Sequence, residues 1–346
     1  MNSLPPSDLR SGWSSAQNHA LLLLILLIVA ISGRYLWSAY GPVPLSRLQF
    51  QEVVLANVEG VVVADTGFGL LVLKDGMLLW HHEGGSRVLA RKFVNLLDAE
   101  HLYINTGTEV MSLSLKGAQG SAVKIAEQLQ GAVLVSVCGP DCLHFYHQGQ
   151  VWAQSQGRVE VVAGFDDNSV LSAVMRDWQQ GVLFFDHQSW TVYSQYQEIE
   201  HVEISSFKGI LAKAVLDPQA TGVVFALERA GVVSVWHSRV DGSNMVQWLE
   251  EEMNYAALEV AWSKDGSQVL FTLIGSRQID DQESEFTSVT AYARRGGEEI
   301  VELDRNTSNT VMAVVPTAWA DDGNGVYIHR VFDEMPVPRL YRIQRR

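Results

Sequence analysis

The stretch AWSKDGSQVLF, from Ala261 to Phe271, joins a tryptophan, an Asp-Gly pair and an alternating apolar run that ends in an aromatic residue. A looser copy, AWADDGNGVYI, runs from Ala318 to Ile328, and LDPQATGVVFAL, from Leu216 to Leu227, is a degenerate third copy. An Asp-Gly pair followed by alternating apolar residues is typical of a tight turn leading into a β-strand. The recurrence therefore predicts a repeated β unit.

The two clear copies predict structural roles for six residues: Trp262, Asp265, Gly266, Trp319, Asp322 and Gly323. We expect each tryptophan to end the innermost strand of its unit and to pack its ring between neighbouring units. We expect each Asp-Gly pair to make the turn into the second strand, because this turn needs a positive φ, which Gly and Asp tolerate.

Paired short strands recur along the chain beyond residue 47. Seven such hairpins begin at Gly69, His101, Cys142, Gly181, Gly222, Gln268 and Gly325. The steps between these positions are 32, 41, 39, 41, 46 and 57 residues, about the length of one four-stranded propeller blade. We expect loop insertions in the two longest steps. Since no helical pattern joins the strands, the sequence predicts an all-β, seven-bladed β-propeller instead of a doubly wound sheet.

The strand count also predicts how the ring closes. The last hairpin ends almost at the C-terminus, so the seventh blade lacks its outer strand. The segment RLQFQEVVLANV, residues 47–58, supplies one strand more than the first blade requires. We therefore expect the N-terminal strand to complete the last blade, which leaves no unpaired edge at the point of closure.

The AWSxDGxxVxF pattern resembles the repeat of the Tol-type β-propellers, as in the carboxyl domain of TolB and in the propellers of the prolyl oligopeptidase group. The 261–271 copy is close, the 318–328 copy is partial, and the other blades match in strand rhythm only. The resemblance implies a propeller over residues 48–346 that acts as a binding platform in the bacterial envelope or as a gate on a peptidase. Similar propellers also form the exported sensing halves of membrane-anchored transcription regulators.

The apolar run ALLLLILLIVAI, residues 20–31, is the strongest local signal in the chain. A membrane-spanning helix needs roughly 20 residues, and continuation to Tyr40 supplies them. Trp37 and Tyr40 then lie where interfacial aromatic residues are expected, and Arg34 can extend its charge to the interface. We predict an uncleaved signal anchor. The alternative is a cleaved signal peptide, for which the Ala30-Ile31-Ser32 segment offers a cleavage site.

The anchor divides the chain into four parts: a short cytoplasmic tail (1–19), the transmembrane anchor (20–40), a linker (41–47) and the propeller (48–346). Signal anchors usually export the part of the chain on their C-terminal side. We therefore predict a single-pass protein of the bacterial inner membrane, with its propeller in the periplasm. The 19 residues before the anchor are too few for a DNA-binding domain, so we do not expect the transcription-regulator role that the resemblance raises.

The charge balance excludes one class of partner. The chain has 25 Lys and Arg residues against 39 Asp and Glu residues, a formal net charge of −14. Nucleic-acid binders need clustered cations for phosphate contacts, and the sequence has no long basic run. We predict no nucleic-acid partner and expect envelope proteins as partners in addition to the membrane.

The two cysteines, Cys138 and Cys142, flank Gly139-Pro140-Asp141, which is predicted to form a turn between two strands. That geometry permits a disulfide, which an oxidising compartment would preserve. Two free buried thiols and a redox or metal centre are the alternatives. The spacing is one residue longer than that of the Cys-x-x-Cys redox motif.

The sequence predicts no catalytic, cofactor-binding or metal-binding residues, because it contains neither a Gly-x-Ser-x-Gly nucleophile elbow nor a phosphate-binding loop. We therefore predict a non-enzymatic binding or scaffold module. The candidate partner loop lies in the insertion of the sixth blade and is acidic: Asp280, Asp281, Glu283 and Glu285. The alternatives are a sensory domain in a membrane signalling complex and a hydrolase or lyase with its site in the central channel.

Overall fold

The computed structural model describes the following residues: 45, 48–98, 102–114, 119–139, 142–164, 170–172, 182–194, 197–204, 207–279, 283–331 and 338–345. Residues 49–344 belong to one compact unit, which contains the propeller. The other unit covers residues 1–48 with residue 345. Within the described part of the chain, no helix has the length and hydropathy needed to cross a membrane. The predicted anchor, residues 20–40, lies outside the described residues.

Strands in the described residues form seven four-stranded sheets, each of which is one blade. Blade 1 contains β2 (Val61–Asp65), β3 (Leu70–Lys74), β4 (Met77–His82) and β5 (Gly85–Ala90). Blade 2 contains β6 (Asn95–Asp98), β7 (Leu102–Asn105), β8 (Glu109–Leu113) and β9 (Gln119–Lys124). A 3₁₀ helix (Glu127–Leu129) leads to blade 3, which contains β10 (Val133–Gly139), β11 (Cys142–His147), β12 (Gln150–Ser155) and β13 (Arg158–Gly164).

The remaining blades continue in chain order. Blade 4 contains β14 (Val170–Ser172), β15 (Val182–Phe185), β16 (Ser189–Ser194) and β17 (Gln197–Glu203). Blade 5 contains β18 (Ile210–Leu216), β19 (Gly222–Arg229), β20 (Val232–Arg239) and β21 (Val246–Glu251). Blade 6 contains β22 (Asn254–Trp262), β23 (Gln268–Gln278), β24 (Ser284–Arg294) and β25 (Ile300–Ser308). Blade 7 contains β26 (Val314–Trp319), β27 (Gly325–Arg330), β28 (Arg339–Arg345) and β1 (Leu48–Val54).

We name the four strands of each blade A to D from the channel outward. Each of the seven predicted hairpins is the B–C pair of one blade, so the predicted all-β, seven-bladed fold is confirmed. The A–B and C–D turns lie on one face of the ring, here called the A–B face. The B–C turns and the connections between blades lie on the opposite face, the B–C face.

β1 is strand D of blade 7 and lies next to β28, as the strand count predicts. The Leu55 amide donates to the Pro338 carbonyl at 3.0 Å. The Glu52 carboxylate accepts hydrogen bonds from Arg330, at 2.9 Å, and from Arg339. Burial raises the pKa of Glu52, but the two guanidinium groups outweigh it and hold this pKa below its usual value. The inner strands β2 and β26 are also in contact, so the ring is closed.

Each described core cluster joins two neighbouring blades. Between blades 5 and 6, for example, Val224 and Val235 pack with Val269, Phe271 and other apolar residues. Alternate residues of a strand point to opposite faces of the sheet, so a blade covered on both sides needs apolar residues at nearly every position. β19 shows this pattern, since every residue from Gly222 to Leu227 is buried. The blades are therefore held by the burial of both sheet faces.

Blade 6 differs from the sequence prediction. The pairing of 268–275 with 288–295 leaves residues 276–287 as an inserted loop, but β23 continues to Gln278 and β24 begins at Ser284. The pairs continue through Gln278 opposite Ser284. The expected loop insertion is thus mainly additional strand, because residues 276–278 and 284–286 are paired with each other, so their backbone groups need not be exposed to water.

Candidate binding site at the channel mouth

The three sequence copies form the same A–B turn in blades 5, 6 and 7. The amide of Gly266 donates to the Ser263 carbonyl at 2.8 Å, and the amide of Gly323 donates to the Ala320 carbonyl at 2.9 Å. Their φ angles are +67° and +66°. In the degenerate copy, Ala220 takes this position with a φ of +55°. The positive φ therefore falls on the residue after Asp265 and Asp322, and not on these two residues.

The aspartates act as acceptors that organise these turns. Asp265 Oδ1 accepts from the Ser263 hydroxyl at 2.7 Å and from the Ser267 amide at 3.0 Å. The Ser263 bond, above all, holds the pKa of Asp265 below its usual value. Asp322 Oδ1 accepts from the Asn324 amide at 2.9 Å, and its other oxygen accepts from Arg342.

Both tryptophans end strand A of their blades. Trp319 Nε1 donates to the Ala261 carbonyl of blade 6 at 2.7 Å. Trp262 packs on blade 5, where its ring centroid lies 6.2 Å from that of His237. The Nε1 of Trp262 is buried without a hydrogen-bond partner among the described residues.

A cavity of about 200 Å³ lies at the A–B end of the central channel. Its wall comes from the A strands or A–B turns of blades 1, 2, 5, 6 and 7. Blades this far apart around the ring approach one another only at the central channel. Most lining residues are apolar, and they include Val215, Val260 and Ala318. Trp262 contributes an aromatic ring to the wall. We call this cavity the channel mouth.

Of the residues that the structure describes, three charged side chains line the channel mouth: Asp65, Lys264 and Asp321. The Lys264 ammonium lies 3.9 Å from Asp321 Oδ1, and the two side chains are 64% and 43% exposed. Asp65 Oδ1 accepts from the Gly67 amide at 2.9 Å and its Oδ2 accepts from the Tyr327 hydroxyl at 2.8 Å. A Cβ placed on Gly67 would lie 2.5 Å from Asp321 Oδ2, so both carboxylates approach Gly67.

Behind the channel mouth, Asp217 is completely buried. Its Oδ2 accepts from Arg295 at 3.1 Å and from the Thr221 hydroxyl at 2.9 Å. His237 lies beside it, stacked on Trp248 with ring centroids 5.0 Å apart. Both ring nitrogens of His237 lack partners among the described residues. Burial lowers the pKa of His237 to about 4, although the Asp217 charge opposes this. This cluster joins blades 5 and 6.

The predicted partner loop lies at the opposite end of the ring, at the β23–β24 turn. Asp280 and Asp281 lie outside the described residues. Glu283 is exposed, and its carbonyl accepts from the Ile279 amide at 3.0 Å. Glu285 is part of β24 and pairs with Arg277 of β23. A strand of 11 residues is about 35 Å long, so this loop and the channel mouth are separate surfaces.

The predicted hairpin around the cysteines is present, since Cys142 is the first residue of β11 and pairs with Gly139 of β10. Cys142 is disulfide-bonded, but the side chain of Cys138 lies outside the described residues, so the pairing of these two cysteines stays a prediction. Among the residues that the structure describes, no three His, Cys, Asp or Glu side chains are grouped to hold a metal ion.

The sequence suggests a central-channel site only as an alternative and indicates none of the charged residues at the channel mouth. Lys264 and Asp321 each precede an Asp-Gly pair in the quoted copies, and this position could have indicated them. A turn that follows the innermost strand of a propeller blade lies at the channel rim, so charged residues there can meet across blades. Asp65 has no such signal, because blade 1 lacks the motif.

The sequence matches no family model and no curated protein. Among solved structures, the Cps50 (Swd1) β-propeller domain of Myceliophteria thermophila has a TM-score of 0.51 at 11% identity, covering 85% of this chain and all of that chain (100%). Kluyveromyces lactis Hsv2 has a TM-score of 0.44 at 10% identity, over 84% of this chain and 98% of that chain. Hydrazine synthase of Kuenenia stuttgartiensis has 0.41 at 13%, over 68% and 73%. At 11% identity, the likeness to the Swd1 domain shows the fold alone.

Proposed function

We propose that this propeller is a non-enzymatic protein-binding module of the bacterial envelope, tethered to the inner membrane by a helix over residues 20–40, with its propeller in the periplasm. The seven-bladed ring supports a binding role, because loops on a rigid frame commonly carry function. The apolar run at 20–31 and the Tol-type resemblance of residues 261–271 support the membrane and envelope assignments.

The observation that carries the binding role is the height of blade 6. β23 and β24 have 11 residues each, against 8 in each of the corresponding strands of blade 5. Three further residues extend a strand by about 10 Å. We call residues 275–287 the blade-6 extension.

The base of the blade-6 extension is held by the outer strand β25, which pairs with Phe286 and Thr287. Arg305 of β25 donates to Glu251 of blade 5 at 2.7 Å and to Glu302 at 2.8 Å. Thr287 and Thr307 form a cross-strand hydroxyl contact at 3.4 Å. These contacts fix the base from which the two strands project, which lowers the loss of conformational freedom when a partner binds.

The chemistry of the turn indicates the kind of partner. Ile279 is 55% exposed, and acidic residues follow it at 280, 281, 283 and 285. An apolar residue in an acidic segment suits a protein surface in which an apolar pocket is surrounded by Lys and Arg. The net charge of −14 favours the same class of partner through long-range attraction.

Site-specific photocrosslinking in intact cells tests this role. A benzophenone side chain at Ile279 is expected to give one major protein adduct, which is lost when Glu283 and Glu285 are both changed to Lys. The same side chain at Val161, which is 45% exposed on β13, is the matched control and is expected to give no such adduct. Equal adducts at both positions, or an Ile279 adduct that survives the charge reversal, would contradict the proposal.

Fractionation tests the anchor separately. The full chain is expected to stay in the membrane pellet after alkaline carbonate extraction and to have its natural N-terminus, because an uncleaved helix remains in the bilayer. A mature N-terminus just after Ser32 would identify a cleaved signal peptide instead. Protease added to spheroplasts is expected to digest the propeller, since it faces the periplasm.

A further inference from the structure

The channel mouth has the size of a small-ligand site. Its volume is about 200 Å³, and an apolar cavity of about 150 Å³ is large enough to bind benzene. Lys264 and Asp321 at its rim are 64% and 43% exposed, so the cavity is accessible from solvent on the A–B face. The available space therefore suits one aromatic or branched aliphatic group with a short polar arm.

The wall and the rim have different chemistry. Val215, Val260 and Ala318 give the cavity an apolar wall, and Trp262 adds an aromatic ring. At the rim, Asp65 and Asp321 both approach Gly67. Both carboxylates also line the cavity, so an arm of the ligand would meet acceptors from two neighbouring blades.

The described part of the rim has a negative balance. Among the residues that the structure describes there, the two carboxylates are accompanied by one ammonium group, that of Lys264, at 3.9 Å from Asp321. That distance exceeds a hydrogen bond, and an ion pair at such exposure contributes little. Lys264 can therefore turn into solvent when a second cation arrives.

We propose that the channel mouth binds an organic cation: an apolar group of about one aromatic ring against Trp262, with a protonated amine between Asp65 and Asp321. A free amine and the amino terminus of a peptide share this chemistry. The site is independent of the proposed function, because the blade-6 extension lies on the opposite face.

Three phenyl compounds of similar size and different charge test whether the site prefers a cation. Their binding to the full chain in detergent is measured by isothermal titration calorimetry. Phenethylamine is expected to bind at least fivefold more tightly than 2-phenylethanol, and 3-phenylpropionate is expected to bind most weakly. Equal affinity for the amine and the alcohol, or tighter binding of the carboxylate, would overturn the proposal.

Matched variants then locate the site. Asp321→Asn is expected to weaken phenethylamine binding about threefold to tenfold, whereas Asp322→Asn, one residue along the same turn, is expected to leave it unchanged. Lys264→Ala is expected to strengthen binding, because it removes the competing cation. An equal effect of the two asparagine variants, or weaker binding by Lys264→Ala, would overturn the assignment even if the amine binds elsewhere.

Two peptides distinguish the sources of the amine. Phe-Gly-Gly has a free amino terminus beside an aromatic side chain, and its N-acetylated form lacks the charge. If Phe-Gly-Gly binds more tightly than phenethylamine and acetylation abolishes binding, the site takes a chain end. If phenethylamine binds more tightly, the site takes a free amine. A peptide that binds equally well when acetylated contradicts the role of the carboxylates.

Discussion

Trp319 and Trp262 occupy the same position in neighbouring blades but differ in one hydrogen bond. Trp319 Nε1 donates to the Ala261 carbonyl, whereas Trp262 Nε1 is buried without a partner among the described residues. Trp319→Phe removes a donor from a buried carbonyl, and Trp262→Phe removes none. We expect Trp319→Phe to lower the free energy of unfolding by about 1–2 kcal/mol more than Trp262→Phe. Urea unfolding of the two variants measures this difference, and equal losses would contradict it.

His237 and His144 are expected to make the protein sensitive to mild acid. Burial lowers the pKa of each to about 4, while a histidine in the unfolded chain has a pKa of about 6.5. Between these values the unfolded state binds more protons than the folded state. Stability is therefore complete above about pH 6.5 and falls as the pH decreases towards 4.

Replacement of His237 by Phe tests the acid sensitivity. The phenyl ring keeps the contact with Trp248 and cannot take up a proton. We expect the variant to lose about 1–3 kcal/mol less unfolding free energy than the wild type between pH 6.5 and 4.5. His187→Gln, at an exposed position, is the control and is expected to behave like the wild type. Parallel pH curves for wild type and His237→Phe would exclude this role of His237.

At the scale of single elements, several B–C and C–D turns consist of two residues with positive φ, of which the second is Gly. Asp75-Gly76 has φ values of +51° and +74°, and Ala230-Gly231 has +51° and +79°. Asp and Asn adopt this conformation more readily than Ala does. The Asp-Gly turn is therefore better suited to its hairpin than the Ala-Gly turn.

Reciprocal substitutions at these two turns should change stability in opposite directions. Ala230→Asn is expected to raise the free energy of unfolding by about 0.5–1 kcal/mol, and Asp75→Ala is expected to lower it by a similar amount. Both residues are exposed, so packing changes little. Thermal unfolding followed by circular dichroism measures both, and shifts of the same sign would contradict the explanation.

The A–B turns show what a motif can predict within one element. The Asp-Gly pairs of the two clear copies predict a turn with a positive φ, and Gly266 and Gly323 have it. In the degenerate copy Ala220 adopts the same conformation without a glycine. There the buried Asp217 caps the turn by accepting from the Gln219 and Thr221 amides at 2.9 and 3.0 Å, which the residue types alone do not indicate.

At the scale of the whole molecule, ring closure depends on contacts between β1 and strands near the other end of the chain. Glu52 pairs with both Arg330 and Arg339. Glu52→Ala leaves two partly buried guanidinium groups without their carboxylate, and we expect it to lower the free energy of unfolding by about 1–2 kcal/mol. Glu59→Ala, which removes an exposed ion pair with Lys74, is the control and is expected to have no measurable effect. Equal unfolding midpoints for both variants would contradict the role of Glu52.

The number of blades and the closure by β1 could be predicted because strand alternation and turn residues are local signals, repeated seven times. The length of blade 6 was harder to predict, since residues 276–287 contain Ser, Thr, Gln and acidic residues that suit both a loop and an exposed strand. Pairing with the neighbouring strand decides between these states, and a single segment does not contain that information.

The sequence by itself determined the all-β class, the seven hairpins, the order of the blades and the excess of negative charge, because each depends on residue type and spacing along the chain. Only the tertiary structure decided that Asp65, Lys264, Trp262 and Asp321 line one cavity. These residues lie more than 250 positions apart at the extremes, and their meeting depends on the curvature of a closed ring. Local periodicity places residues within blades, whereas the packing of blades around the channel determines which of them share a site.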